Sequence, residues 1–246
     1  MNRCNLAFIS LWIGITPWVA VRAGEPVGVL RSLDQGPSVI ALRGANSRQA
    51  KPGDPLFAGD HIVTAADQTV LAELRDGSEL TIAPDSDFTV DRLQLSGTNR
   101  TAEVALDHGM ANAKVAKGYS PSQPFFFKTA SSVMGVRGTE FVVEHDGAQG
   151  SSLHTFEGSV AVGHSVAELN DPGKAILVGP GMTTSVHAGQ IARPTRFNPA
   201  QFQQHLTRRG GKMINRVQHH FPKGQSTPGD DASAASKKPR KRRRHP

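Results

Sequence analysis

The chain has 246 residues, with 25 Gly and 16 Pro, a single Cys, and an aromatic set of 2 Trp, 1 Tyr and 11 Phe. A hydrophobic share of 37% and a mean hydropathy of -0.34 exclude a polytopic membrane protein, and the aperiodic Gly and Pro content points to frequent turns rather than to collagen. The formal net charge of +7 is carried by one end: residues 237–246 hold seven basic groups and no acid, whereas residues 24–200 hold 14 basic and 19 acidic residues. The body is therefore mildly acidic, and no specific nucleic-acid partner is expected.

The N-terminus has Arg3, then an apolar run over residues 6–21, then Val21-Arg22-Ala23 before Gly24. Small residues at −3 and −1 of a cut after Ala23 give the pattern of a secretory signal peptide over residues 1–23. Pro17, Trp18 and Arg22 are unusual there, so an uncleaved signal anchor is the alternative. Either reading puts the remainder outside the cytoplasm, periplasmic or exported, or anchored in the inner membrane if the segment stays attached. Cys4 precedes the apolar run and would leave with it, so the mature chain would have no disulfide, no thiolate metal site and no thiol nucleophile.

From residue 27 to residue 188, short apolar alternations are separated by turn residues at a spacing of roughly 8 to 12. Strands are predicted over residues 27–33, 38–43, 61–64, 69–75, 78–83, 87–95, 103–106, 110–116, 125–130, 140–145, 152–156, 159–162, 175–178 and 183–186. This pattern implies an all-β fold, a short-stranded β-solenoid or a sandwich, with domain bounds at 24–190. The plainest unit is the 69–83 segment. Val70, Ala72 and Leu74 share one face, Asp76-Gly77 supply a positive-φ turn before Ser78, and Leu80 and Ile82 resume the apolar face. A second hairpin is predicted across Glu157-Gly158.

Residues 191–224 are predicted as a helical extension. Asn198 before Pro199 is an N-cap pattern, and Phe202, Leu206, Met213, Ile214, Val217 and Phe221 make an apolar stripe interrupted at Gly210-Gly211. The segment is basic, so packing on the β-body competes with contact to an anionic membrane surface. Residues 225–246 are predicted to be a disordered basic tail, in which Lys237, Lys238, Arg240, Lys241, Arg242, Arg243 and Arg244 would meet anionic envelope lipid or polymer.

No G-x-S-x-G, H-E-x-x-H, phosphate-binding loop or dinucleotide-binding glycine pattern occurs, and Asp85-Ser86-Asp87 lacks the glycine and glutamate of a calcium loop. No catalytic, cofactor or metal site is expected. His205, His219 and His220 have no carboxylate beside them in sequence. A sugar-binding role is disfavoured because Trp12 and Trp18 both lie in the leader. The one cluster distinguished by shape spans residues 131–141. Gly135 and Gly138 flank Arg137, Thr139 follows, and an Arg137–Glu140 ion pair would pin the bend before Phe141 enters a strand.

Together, residues 56–64, the 74–80 hairpin with Asp76, Gly77 and Ser78, residues 125–129, Gly135-Val136-Arg137-Gly138-Thr139-Glu140-Phe141, and Phe156-Glu157-Gly158-Ser159-Val160-Ala161-Val162 resemble, in that order, the FecR domain family. The resemblance spans roughly residues 27–188. It implies a non-catalytic extracytoplasmic β-domain with an envelope protein partner. In the founding members the domain follows a transmembrane helix and relays the state of a TonB-dependent transporter to a sigma factor. This sequence shows no N-terminal sigma-binding segment and ends in a basic tail, so it looks more like a stand-alone exported FecR-domain scaffold. A membrane-anchored regulator acting with such a transporter and sigma factor is the alternative.

Overall fold

The computed structural model describes residues 24–33, 39–42, 46–97, 99–120, 123–147, 149–171 and 173–221. The leader and the basic tail, with the expectations attached to them, lie outside these residues. The strands are β1 (Gly28–Leu33), β2 (Val39–Leu42), β3 (Asn46–Gln49), β4 (Pro55–Leu56), β5 (Asp60–Val63), β6 (Val70–Leu74), β7 (Glu79–Ile82), β8 (Asp87–Ser96) and β9 (Asn99–Lys114). They continue with β10 (Phe125–Lys128), β11 (Val133–Val136), β12 (Glu140–Asp146), β13 (Gly150–Glu157), β14 (Val160–Gly163), β15 (Ile176–Val178), β16 (Met182–His187), β17 (Gln190–Ile191) and β18 (Thr195–Arg196). A one-turn helix α1 (Val166–Leu169) interrupts them, and α2 (Pro199–Arg209), α3 (Met213–Val217) and a 3₁₀ turn (Gln218–His220) close the described chain.

Two faces of one hydrogen-bonded network form a sandwich. One sheet runs β4, β1, β6, β7, β9, β12, β13, β16, with β17 and β18 both on β16; the other runs β3, β2, β5, β8, β9, β10, β11, β14, β15. Of the two all-β forms expected, the sandwich is found. A solenoid needs stacked parallel strands, and among the described residues the only parallel pair is β9 with β10.

The predicted strands at 103–106 and 110–116 are a single strand, β9, which bends from one sheet into the other at Gly109. Its φ of 95° is glycine territory, and a Cβ there would stand 2.2 Å from Ser86 Oγ. That hydroxyl accepts a bond from Met110 N at 3.0 Å, so the backbone freed by the bend is satisfied.

The period-2 patterns put Leu30, Ala72, Leu80, Ile82, Ala113, Phe141 and Val143 of the first sheet against Phe88, Val104, Phe127, Met134 and Val162 of the second. Phe127 and Phe141 meet edge-on across the core, with centroids 5.5 Å apart at 76°. The outer face of the first sheet is also apolar in part. There Ala83, Met110, Val142 and Phe156 pack against Phe202, Leu206, Met213, Val217 and Phe221 of the helical layer.

That layer begins as predicted. Asn198 Oδ1 accepts from Ala200 N at 3.0 Å and from Gln201 N at 3.2 Å, and Pro199 occupies the first helical position. The stripe lies on the β-body, which removes it from a membrane-surface role. The helical part starts later than expected, because β17 and β18 carry extended chain to Arg196.

Candidate functional site

Two of the segments singled out in the sequence, the β6–β7 turn and the β11–β12 connection, meet around the segment that leaves β9. Val115 N donates to Thr139 O at 2.8 Å, and Ala116 N donates to Ser78 Oγ at 3.0 Å. Consecutive amides thus hold the β6–β7 turn and the β11–β12 connection, which are about sixty residues apart in the chain.

The β6–β7 hairpin is present, but its turn differs from the expected pair of positive-φ residues. Only Gly77 is positive, at 86°, with Gly77 N bonded to Leu74 O at 2.9 Å and Leu74 N to Ser78 O at 2.8 Å. This is a three-residue loop with a glycine bulge, chosen because Asp76 is occupied otherwise. Its carboxylate accepts from Ser78 N at 3.0 Å, from Ser78 Oγ at 2.6 Å and from the Tyr119 hydroxyl at 2.5 Å. Burial, then the bond to Asp76, holds the Tyr119 phenol far above its ordinary titration range. Sequence reading missed Tyr119; its being the only tyrosine is the signal that was available.

The hairpin expected across Glu157-Gly158 does not form. β13 pairs with β12 and β16, while β14 pairs with β11 and β15, so Glu157-Gly158 is a corner carrying the chain between sheets. Arg137-Gly138-Thr139 is the matching corner from β11 to β12. The two corners nest: a Cβ on Gly158 (φ 72°) would stand 2.5 Å from Thr139 Cγ2 and 3.2 Å from Gly138 O. Gly138 has φ 59°, as a positive-φ bend requires. Gly135 does not; it sits within β11 between Phe126 and Ala161, and its missing side chain makes room for Leu169 of α1 at 3.3 Å. Phe141 is core.

The Arg137–Glu140 ion pair is not made. Arg137 is exposed, and Glu140 points to the helical layer because the bulge at Glu140/Phe141 puts Phe141 inward. There Glu140 Oε2 lies 3.1 Å from His220 Nε2 and 3.8 Å from His219 Nε2. Glu157, paired with Glu140 across the ladder, completes a group of four metal-ligand side chains. The expectation that these histidines lack a carboxylate is thus corrected, since the carboxylates come from strands far away in sequence. His205 is elsewhere: with Arg209 it binds Glu144, at 2.8 Å and 3.3 Å, and anchors α2 to β12. His154 stacks on Phe202 at 3.8 Å and 10°. Burial, then the charge of His205, pushes its pKa down to about 4.

Sheets that exchange strands through glycine corners, with a helical layer on one outer face, define an all-β module whose distinctive residues build turns. Residues 60–161 match the family model described as FecR protein, and the chain carries a FecR domain over that segment. Two crystal structures of a candidate anti-sigma factor from Parabacteroides distasonis are similar in fold. One has 17% identity and a TM-score of 0.46, covering 59% of this chain and 64% of its own. The other has 16% identity and a TM-score of 0.47, covering 65% and 74%. The chain therefore spans less than two thirds of the first of them. A cell surface anchoring domain shares 30% identity over 26% of this chain and 83% of its own, with a TM-score of 0.25. No curated protein matches the sequence.

Proposed function

We propose that this chain is an exported, non-catalytic recognition module of the bacterial cell envelope, and that it binds a protein partner by strand addition at β15. The observation that carries the reading is the state of that edge. Among the described residues β15 pairs with β14 alone, and its central residue, Leu177, is 66% exposed. Leu177 continues a cross-strand row on the outer face through Ala161, Gly135 and Phe126. An incoming strand would gain main-chain hydrogen bonds from the edge, and this row would select its alternate side chains.

Export rests on the leader pattern of residues 1–23, and the reading as a binder rests on the FecR domain. The tail cations at 237–244 add a salt-sensitive attraction to anionic lipid or polymer. No helix of the described residues is long and apolar enough to cross a membrane.

The test is recovery of envelope proteins by wild type and by Leu177→Asp, with both melting temperatures measured. A partner captured by the first and lost from the second at equal stability supports the reading. Equal recovery by both overturns strand addition at this edge. Mass spectrometry of the exported protein should find Gly24 at the N-terminus; a retained leader would make the chain a tethered regulator.

A further inference from the structure

We propose that Glu140, Glu157, His219 and His220 form a site for a divalent transition-metal ion, with Zn²⁺ the ion that suits these donors best. The four come from three places in the fold. Glu140 opens β12, Glu157 ends β13 directly across the ladder, and the two histidines lie in the 3₁₀ turn that follows α3. Their ligand atoms all lie within 4.8 Å of one another. Four ligands about 2.1 Å from a tetrahedral zinc stand roughly 3.4 Å apart. The Glu140 Oε2 distances to His220 and His219, 3.1 Å and 3.8 Å, bracket that value.

A second observation separates this group from an ordinary ion pair. Glu140 Oε2 and His220 Nε2 are both removed from solvent and neither has a hydrogen-bond partner, although they face each other. The Glu140 side chain is 3% exposed and that of His220 is 12%. Buried polar atoms without partners are costly, and an ion placed between two lone pairs satisfies both. His220 is also held rigidly, stacked on Phe156 at 4.7 Å and 6°. Two carboxylates and two neutral imidazoles balance a double positive charge, and this mixed oxygen and nitrogen set favours zinc over calcium or magnesium.

Neighbouring cations do not take the ion's place. Arg216 is paired with Glu79, and Lys114, opposite Glu140 in the ladder, is exposed. Glu157 and His219 lie at the surface and open the site to solvent. A bound ion would fasten the end of the helical layer to the two nested corners.

The experiment uses the mature chain stripped with EDTA. Zn²⁺ is titrated in competition with a chromophoric chelator, Co²⁺ is followed by visible absorption, and melting is recorded with and without Zn²⁺. One equivalent should bind, the Co²⁺ form should show tetrahedral bands, and Zn²⁺ should raise the melting temperature where Mg²⁺ does not. Glu157→Gln and His219→Ala, both surface changes, should melt like wild type in EDTA yet each weaken Zn²⁺ binding on the order of tenfold or more. Failure to compete with the chelator overturns the site. So does binding that survives both variants, which would mark another histidine such as His245.

Discussion

Gly158 lies so close to Thr139 that a single added methyl group would stand 2.5 Å from the threonine Cγ2. This contact joins two of the corners at which the chain changes sheets, Arg137-Gly138-Thr139 and Glu157-Gly158. Each glycine has a different reason to be there.

Gly158 has both a positive φ of 72° and the blocked Cβ position; Gly138 has φ 59° and its nearest neighbour is the flexible Lys117 side chain at 3.1 Å. Gly158→Ala should therefore destabilise by about 3 kcal/mol, from strain plus displacement of the adjoining corner. Gly138→Asn should cost less than about 1 kcal/mol, because Asn tolerates the left-handed region. Urea midpoints measure both. Equal losses would show that the corners do not nest.

The Asp76–Ser78–Tyr119 group gives a graded series. Ser78→Ala removes a donor to Asp76 and leaves Ala116 N without its acceptor, whereas Tyr119→Phe removes one bond and keeps the ring on Phe125, 5.6 Å away. Losses of about 2 kcal/mol and about 1 kcal/mol are expected. In the double variant the losses should depart from additivity, since both side chains share one carboxylate. A larger loss for Tyr119→Phe than for Ser78→Ala would contradict this ordering.

His154 sets an acid limit. Its folded-state pKa of about 4 is depressed from 6.5 by burial and by His205. The unfolded chain takes up a proton that the folded chain refuses, so stability is full above pH 6.5 and falls as pH drops toward 4. The contribution is about 3 kcal/mol at most. His154→Phe, which keeps a ring against Phe202, should flatten the fall in urea midpoint between pH 7 and pH 4.5. An unchanged slope would assign the acid sensitivity to other groups.

The helical layer should act as one body with the sheet. Leu206→Ala is expected to cost about 2 to 5 kcal/mol, as for a fully buried leucine, and Asn198→Ala about 1 kcal/mol from the lost cap. Hydrogen exchange should show the amides of α2 protected in step with those of β12. Early exchange of α2 in the wild-type protein would mean that it opens independently.

Much of the β-structure was legible residue by residue. Alternation at Val70, Ala72 and Leu74 places those side chains inward because successive Cβ atoms of a strand take opposite faces wherever the strand lies. Asn198-Pro199 starts a helix for equally local reasons, and the motifs of residues 60–161 lie in the segment that matches the FecR family. Pairing partners were less legible. Glu157-Gly158 has the composition of a hairpin turn and serves as a corner, because a positive-φ glycine suits either and only the neighbouring strands decide.

Local order, turn positions, the facing of side chains and the helix start were thus determined by the amino-acid sequence itself, through steric rules acting over a few residues. The joining of Ser78 and Thr139 through Val115 and Ala116, and the meeting of Glu140 with His220, were decided only by the tertiary structure. Contacts between segments so far apart in the chain follow from how two sheets and a helical layer close over a shared core. No short-range pattern encodes that closure.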